Sequence, residues 1–395
     1  MAKLTVKDLE LKDKKVLLRC DFNVPQDEGL NITDDTRIRA SLATIKYILS
    51  QGPKKLIMIS HLGRPDGKVT AKYSLKPVAQ RLKELLGQEV RMLTDCVGET
   101  VKKDIESAKE TMILLENLRF HPEEEKNDPE FSRSLAGLAE VFVNDAFGTA
   151  HRAHGSTEGV THYLKSASGL LLEKEINYLG AALEKPKKPF VVILGGAKVS
   201  DKIMLIDNLL PKADEIIIGG GMCYTFLKAQ GRQIGNSKLE KDRLDIAKKL
   251  LEKAREQNVK ISLPQDSLIT NKIEPGAPVK ITGEDIPDGW IGVDIGPKTI
   301  ASYCQSLEKA RTIVWNGPLG IFEMDAFAKG TKEVALCLAG LKEAVTIIGG
   351  GDTAAAINKF GLEDKMTHIS TGGGASLEFM EGKILPGIAA LTDKK

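Results

Sequence analysis

The chain has 395 residues, 42% apolar and 28% charged, with a formal net charge of +2. That length exceeds what one hydrophobic core serves and predicts two domains of about 150–200 residues each. The near-neutral balance favours neither nucleic acid nor an anionic membrane as bulk partner, no apolar run approaches the ~20 residues of a membrane span, and the opening MAKLTVKDLE is read as lacking the apolar stretch of a signal peptide.

In chain order, short β-rich runs alternate with amphipathic stretches. KKVLLRC (14–20) predicts a strand running into DFNVP, which puts Asp21 and Asn23 at its carboxyl end. TDDTRIRASLATI (33–45) predicts a helix that starts on Asp and Thr cap candidates and carries Arg37 and Arg39. KKLIMIS (54–60) leads into HLGRP, with His61 and Arg64, and SLKPVAQRLKELLG (74–87) has helical spacing. TMILLE (111–116) is followed by Arg119 and His121, and EVFVNDA (140–146) by His151, Arg152 and His154. Three strand ends thus deliver Arg or His and a fourth delivers Asp21 and Asn23, and parallel strands gather such ends on one edge. A lone arginine is ordinarily a solvated surface group and a lone histidine ordinarily structural. Recurrence at successive strand ends argues for a binding role here, whereas Arg19, Arg39 and Arg133 are read as solvated surface groups.

EKEINYLGAALEK (173–185) predicts a helix that Pro186 and Pro189 stop, and it is taken as the joint between a first domain, 1–172, and a second, 186–382. PFVVIL (189–194), DEIIIG (214–219), TIVWN (312–316) and AVTIIG (344–349) predict the second domain's strands, and KLEKDRLDIAKKLLEKAREQ (238–257) a helix. PFVVIL meets GGAKVSDKI, read as a glycine turn and a helix whose first turn carries Lys198 and Lys202 on one side. AVTIIG meets GGDTAAAINKF, with Asp352 and Thr353 opening a helix, and HIS meets TGGGASLEFM. The apolar tail 383–395 is expected to pack back on the first domain. Strands alternating with helices throughout predict an α/β protein built from parallel sheets.

The two halves differ chemically. Nine of the thirteen arginines lie at or before Arg152, whereas every run of adjacent glycines lies after residue 190. Guanidinium forks suit a small polyanion, and glycine turns before helices let backbone N–H groups approach phosphate. That layout suits phosphoryl transfer. Gly349, Gly351 and Ala354 also fit a GxGxxA dinucleotide fingerprint, but no acid follows about 20 residues on to hold a ribose, and the P-loop pattern GxxxxGK[ST] is absent. An NAD-type oxidoreductase is therefore the weaker alternative. The five cysteines are scattered and never form a CxxC pair, which argues against disulfides or zinc and for a reducing, cytoplasmic setting.

Taken together, DFNVP, DDTRIRA, SHLGRP, ENLRFHPEEEKNDPEF, VNDAFGTAHRAH, LGGAKVSDKI, IIGGGM, VDIGPKT, VWNGPLGIFEMDAFAKGT, IIGGGDTAAAI and HISTGGGASLEFMEGK resemble, in order and nearly end to end, the phosphoglycerate kinase family. The resemblance implies two Rossmann-like domains whose parallel sheets face each other across a cleft, joined by an interdomain helix. It implies reversible transfer of the 1-phosphate of 1,3-bisphosphoglycerate to ADP, giving 3-phosphoglycerate and ATP, with Mg²⁺ accompanying the nucleotide. By carry-over, Asp21, Phe22, Asn23, Arg37, His61, Leu62, Gly63, Arg64, Arg119 and Arg152 would bind the phosphoglycerate. Gly196, Ala197, Lys202, Gly220, Gly292, Asn316, Pro318, Glu323, Gly350, Gly351, Asp352 and Thr353 would bind the nucleotide, with Asp352 meeting Mg²⁺. Lys198, Arg37, Gly373 and Gly374 would surround the migrating phosphoryl group. Closure of the two domains and a monomeric state are further expectations of the resemblance.

Overall fold

Residues 2–394 are described by a computed structural model, in which the chain divides into two compact units, Met1–Asn177 with Ile384–Lys395, and Tyr178–Lys383. In the first unit, β1 (Lys15–Arg19), β2 (Lys55–Ile59), β3 (Val90–Met92), β4 (Met112–Leu114), β5 (Val141–Asn144) and β6 (Lys165–Ser168) form a parallel sheet in the order β3-β4-β2-β1-β5-β6. Register explains why the central strands β1, β2, β4 and β5 read as largely apolar runs. Phe142, Leu17, Ile57 and Ile113 stand side by side and pack under Val101, Ile105, Phe131 and Leu135. One residue further along, Val143, Leu18, Met58 and Leu114 line up on the other face under Ile38, Ile45, Val78 and Leu82. Because both faces are covered, neither parity can be polar.

The second unit repeats this plan. β7 (Phe190–Leu194), β8 (Glu215–Ile218), β9 (Lys260–Ser262), β13 (Thr312–Asn316), β14 (Val345–Gly349) and β15 (His368–Ile369) form a parallel sheet ordered β15-β14-β13-β7-β8-β9. Between them β10 (Ser267–Thr270), β11 (Val279–Thr282) and β12 (Ile291–Ile295) make a small antiparallel sheet. Ile193, Ile217, Ile313, Trp315 and Ile348 pack against Tyr303, Leu307, Val334 and Leu338 from two helices on one face.

The helix expected at 173–185 runs from Leu170 to Glu184, and the division between units falls within it. Its early start has a cause outside its own sequence. Asp145, at the end of β5, accepts hydrogen bonds from Leu171 N and Leu172 N at 2.9 and 3.1 Å, satisfying donors that a helix start leaves open. The tail belongs to the first unit, where Gly387 N donates to Ala150 O at 2.9 Å and Asn144 Nδ2 donates to Gly387 O at 3.1 Å.

Two local expectations are corrected. Of the two Asp cap candidates of helix Thr36–Ser50, Asp34 accepts from Thr36 N at 2.8 Å, whereas the N-cap residue Asp35 makes no capping hydrogen bond because its carboxylate is taken by Arg39 and Arg81, each 2.8 Å away. The cysteine reading also fails: Cys304 and Cys337 form a disulfide with a Cα–Cα distance of 5.8 Å. They lie on helices Pro297–Leu307 and Lys329–Ala339, which pack side by side, so a pair 33 residues apart in sequence becomes adjacent in space. Cys20, Cys96 and Cys223 are buried and free.

Candidate active site

In the first unit β1 leads to β2 on one side, while β5 and β6 lie on the other. The loops after β1 and β5 therefore diverge and leave a crevice at the carboxyl edge, where ligands gather in such sheets. The strand-end residues collect here. Arg37 Nη1 meets Asp21 Oδ2 at 2.9 Å, and Asn23 Oδ1 accepts from Gly63 N at 2.8 Å. Arg119 Nη1 donates to Gly63 O at 2.9 Å while its Nε faces Glu125 at 3.2 Å, and Arg152 Nε donates to His151 Nε2 at 3.2 Å. Arg64 is exposed and makes no hydrogen bond or ion pair among the described residues. Gly63 sits at φ +62°, and a Cβ there would lie 2.3 Å from the Tyr73 ring, so this turn requires glycine.

His61 is buried, and Arg19 Nη2 lies 3.1 Å from its Nδ1. Arginine offers only N–H donors, so Nδ1 is the acceptor and the ring proton resides on Nε2. Burial first, then the charges of Arg19, Arg119 and Arg37, hold the His61 pKa well below its ordinary value, leaving a neutral hydrogen-bond donor. His154 is held down to about 3, again chiefly by burial and then by Arg119 and Arg19.

Phe22 and Leu62 have core side chains, so only their backbones are available to a ligand. Arg19, set aside at the sequence level, is corrected. It is 1% exposed, its Nε donates to Ser156 Oγ at 2.9 Å, and Ser156 Oγ donates in turn to Glu124 Oε1 at 2.6 Å. A readable signal existed: an arginine inside a strand covered on both faces cannot be solvated. Asn117 was also missed. Its Nδ2 ties Leu62 O at 2.7 Å and Tyr73 O at 2.9 Å, and its Oδ1 receives Arg119 N at 3.0 Å, fixing the segment that carries Arg119.

The second unit has the same crevice between β7, which leads to β8, and β13, which leads to β14 on the other side. Its floor is backbone. Gly196 N donates to Pro318 O at 3.0 Å, Gly220 N to Leu319 O at 2.9 Å, and Met222 N to Gly196 O at 3.0 Å. A Cβ on Gly220 would lie 2.7 Å from Gly196 N and O, so these loops meet only without side chains. Ala197 adjoins this floor, where a Cβ on Gly221 would come 3.2 Å from its carbonyl oxygen. Gly292 N donates to Ser237 Oγ at 2.9 Å, and Thr353 Oγ1 receives Gly317 N at 2.6 Å.

Lys198 and Lys202 do not sit on a helical turn. The helix begins at Ile203 with Lys202 as N-cap, because the chain first turns through 199–202. Lys202 Nζ is bonded to Asn316 Oδ1, and burial lowers its pKa, whereas Lys198 is exposed. Asp352 is exposed in the first turn of helix Gly351–Lys359, whose N-cap Gly350 sits at φ +89°. Glu323 has an exposed side chain, and its carbonyl accepts from Lys359 Nζ at 3.1 Å. Gly373, at φ +44°, is the N-cap of helix Gly374–Met380.

Asp294 was not anticipated. Its buried carboxylate accepts from Gly330 N at 2.5 Å and leaves no space for a Cβ on Gly320 or Gly330. It joins β12 to the loop after β13 and to the start of helix Lys329–Ala339.

A family model described as phosphoglycerate kinase matches residues 6–383. The chain is 56% identical over 396 residues to a phosphoglycerate kinase of Moorella thermoacetica and 57% identical over 406 residues to one of Koribacter versatilis, with 100% of both chains covered in each case. Among solved structures, phosphoglycerate kinase from Coxiella burnetii superposes with a TM-score of 0.90 at 43% identity, and that from Pyrococcus horikoshii with 0.84 at 33%, each covering 98% of both chains. Nothing in these likenesses points to a dinucleotide oxidoreductase.

Proposed function

Because the chain belongs to the phosphoglycerate kinase family, we propose that it transfers the acyl phosphate of 1,3-bisphosphoglycerate reversibly to ADP, with the acid held by the first unit and the nucleotide by the second. The observation that carries this division is the contrast between the two crevices. One is lined by Arg37, Arg64, Arg119 and Arg152 around a neutral His61, the other by glycine backbone around Lys198 and Lys202. Guanidinium groups grip a phosphorylated carboxylate bidentately, and bare backbone admits a nucleotide.

The acceptor in the ATP-consuming direction is a carboxylate already ionised at neutral pH, so no general base is required. His61, with its proton on Nε2, orients the acid as a hydrogen-bond donor. Arg37 and Lys198 then have the role of stabilising charge on the phosphoryl oxygens, assisted by the backbone N–H groups of Gly373 and Gly374. The Asp21 carboxylate holds Arg37 in place before the acid arrives.

Asp352 fits Mg²⁺: it is an exposed carboxylate with no hydrogen bond or ion pair among the described residues, beside the Gly350–Gly351 turn. When bound with the nucleotide, Mg²⁺ offsets charge on its phosphates. The proposal includes the family's expectation of a cytoplasmic monomer that engages neither nucleic acid nor membrane. Among the described residues no helix is long and apolar enough to cross a bilayer.

A coupled assay supplying 3-phosphoglycerate and MgATP tests the reading. Turnover that depends on both is expected; ATP hydrolysis independent of the acid, or no turnover by folded protein, would overturn it.

A further inference from the structure

We propose that Asp95, Cys96 and His121 form a site for a thiophilic divalent cation of the zinc class on the carboxyl edge of the first unit's sheet. Asp95 and Cys96 lie in the loop between β3 and helix Glu99–Ser107, and His121 follows the Leu118–Phe120 turn after β4. β3 and β4 are adjacent and parallel, so the two segments emerge side by side. Carboxylate oxygen, thiol sulfur and imidazole nitrogen lie within 4.8 Å of one another. In a tetrahedral site with Zn–S of about 2.3 Å and Zn–N or Zn–O of about 2.0–2.2 Å, neighbouring donors stand about 3.3–3.7 Å apart. Asp95 Oδ1 and His121 Nε2 are hydrogen-bonded at 2.6 Å, so those two side chains part slightly around an ion.

The donors are already positioned. Cys96 is buried and its N donates to Asp95 Oδ1 at 2.7 Å, while the His121 ring packs 5.5 Å from that of Phe131 and His121 N donates to Leu118 O at 3.1 Å. Asp95 and His121 are the exposed members, with 50% and 29% of their side chains accessible, so an ion enters from their side and a water completes its shell. One thiolate, one imidazole and one carboxylate suit Zn²⁺ or Co²⁺ and disfavour Mg²⁺, which requires an oxygen octahedron. Coordination releases the Cys96 thiol proton to solvent. It ties the loop after β3 to the segment that carries Arg119.

Co²⁺ is the probe, titrated into chelator-stripped, tag-free full-length protein without Mg²⁺. One equivalent should produce a thiolate-to-cobalt charge-transfer band in the near ultraviolet together with tetrahedral d–d bands, and Zn²⁺ should displace it. Cys96→Ser should abolish the charge-transfer band, and His121→Asn, at a more exposed position, should weaken binding at least about tenfold. Zn²⁺ should raise the Tm of the wild-type chain and leave that of Cys96→Ser unmoved. Octahedral-only cobalt spectra, or a charge-transfer band that survives in folded Cys96→Ser, would overturn the assignment.

Discussion

Arg19 Nη2 donates to His61 Nδ1 across 3.1 Å, and this contact decides which face of the imidazole carries a proton. Replacing Arg19 with Lys removes the planar fork that reaches Cys20 O, Ser156 and His61 together. Nitrogen-15 NMR should then show His61 redistributed between tautomers, with KM for 3-phosphoglycerate raised about tenfold or more and ADP affinity unchanged. A buried partner left without its hydrogen bond costs about 1–3 kcal/mol, so Tm should fall as well. An unchanged tautomer with an unchanged KM would refute the positioning role.

Arg37 and Lys198 stand one in each unit. Ala at either should lower kcat by roughly 10²-fold or more, the scale for a lost oxyanion donor. Arg37→Ala should leave nucleotide affinity nearly intact. Near-normal turnover in either variant would remove that residue from phosphoryl stabilisation.

Arg64 is exposed and the Arg152 side chain donates to the neighbouring His151, so both are available to an anion. Truncating either to Ala should weaken 3-phosphoglycerate binding by about 1.5–3 kcal/mol, roughly ten- to 150-fold. ADP binding, followed by calorimetry on the same proteins, should not move. A parallel loss of both affinities would contradict the assignment of one ligand to each unit.

The Cys304–Cys337 bond closes a loop with a sequence separation of 33 residues, for which chain entropy predicts about 3–4 kcal/mol of stabilisation. Denatured but unreduced protein should titrate three thiols, and five after reduction. Reduction or Cys304→Ser should lower Tm by several degrees. Cytoplasmic reductants keep most thiols free, so five thiols in freshly isolated protein would mean that the pair stands reduced in that setting.

Asp294 is a pH-sensitive group of the second unit. Burial raises its folded pKa from 3.8 to about 7, despite opposing hydrogen bonds from Gly330 and Ile295. The folded state therefore keeps this proton to higher pH than the unfolded state does. The group's stabilising contribution is full below about pH 4 and is lost as pH rises through about 7. Asn at this position cannot ionise, so the stability of wild type minus Asp294→Asn should fall between about pH 4 and 7 and then level off. Neighbouring Tyr224 is pushed well above its ordinary value and stays neutral across that window. A gap independent of pH would show that Asp294 does not titrate there.

Periodicity and strand-end chemistry determined a great deal about this protein. Runs such as KKLIMIS and PFVVIL are apolar at both parities because their sheets are covered on both faces, and that pattern is local. Placing His61, Arg119 and Arg152 at one edge needed only the rule that parallel strands share a direction. Tertiary structure decided what depends on neighbours distant in sequence. Burial turned Arg19 from a presumed bystander into the partner of His61, and packing of two helices brought Cys304 to Cys337. Asp145 set the start of a helix from 25 residues upstream, and Asp294 filled the space that Gly320 and Gly330 leave open. A side chain's charge state, its hydrogen-bond partners and the room around a glycine are properties of the assembled surroundings, and no window along the chain contains them.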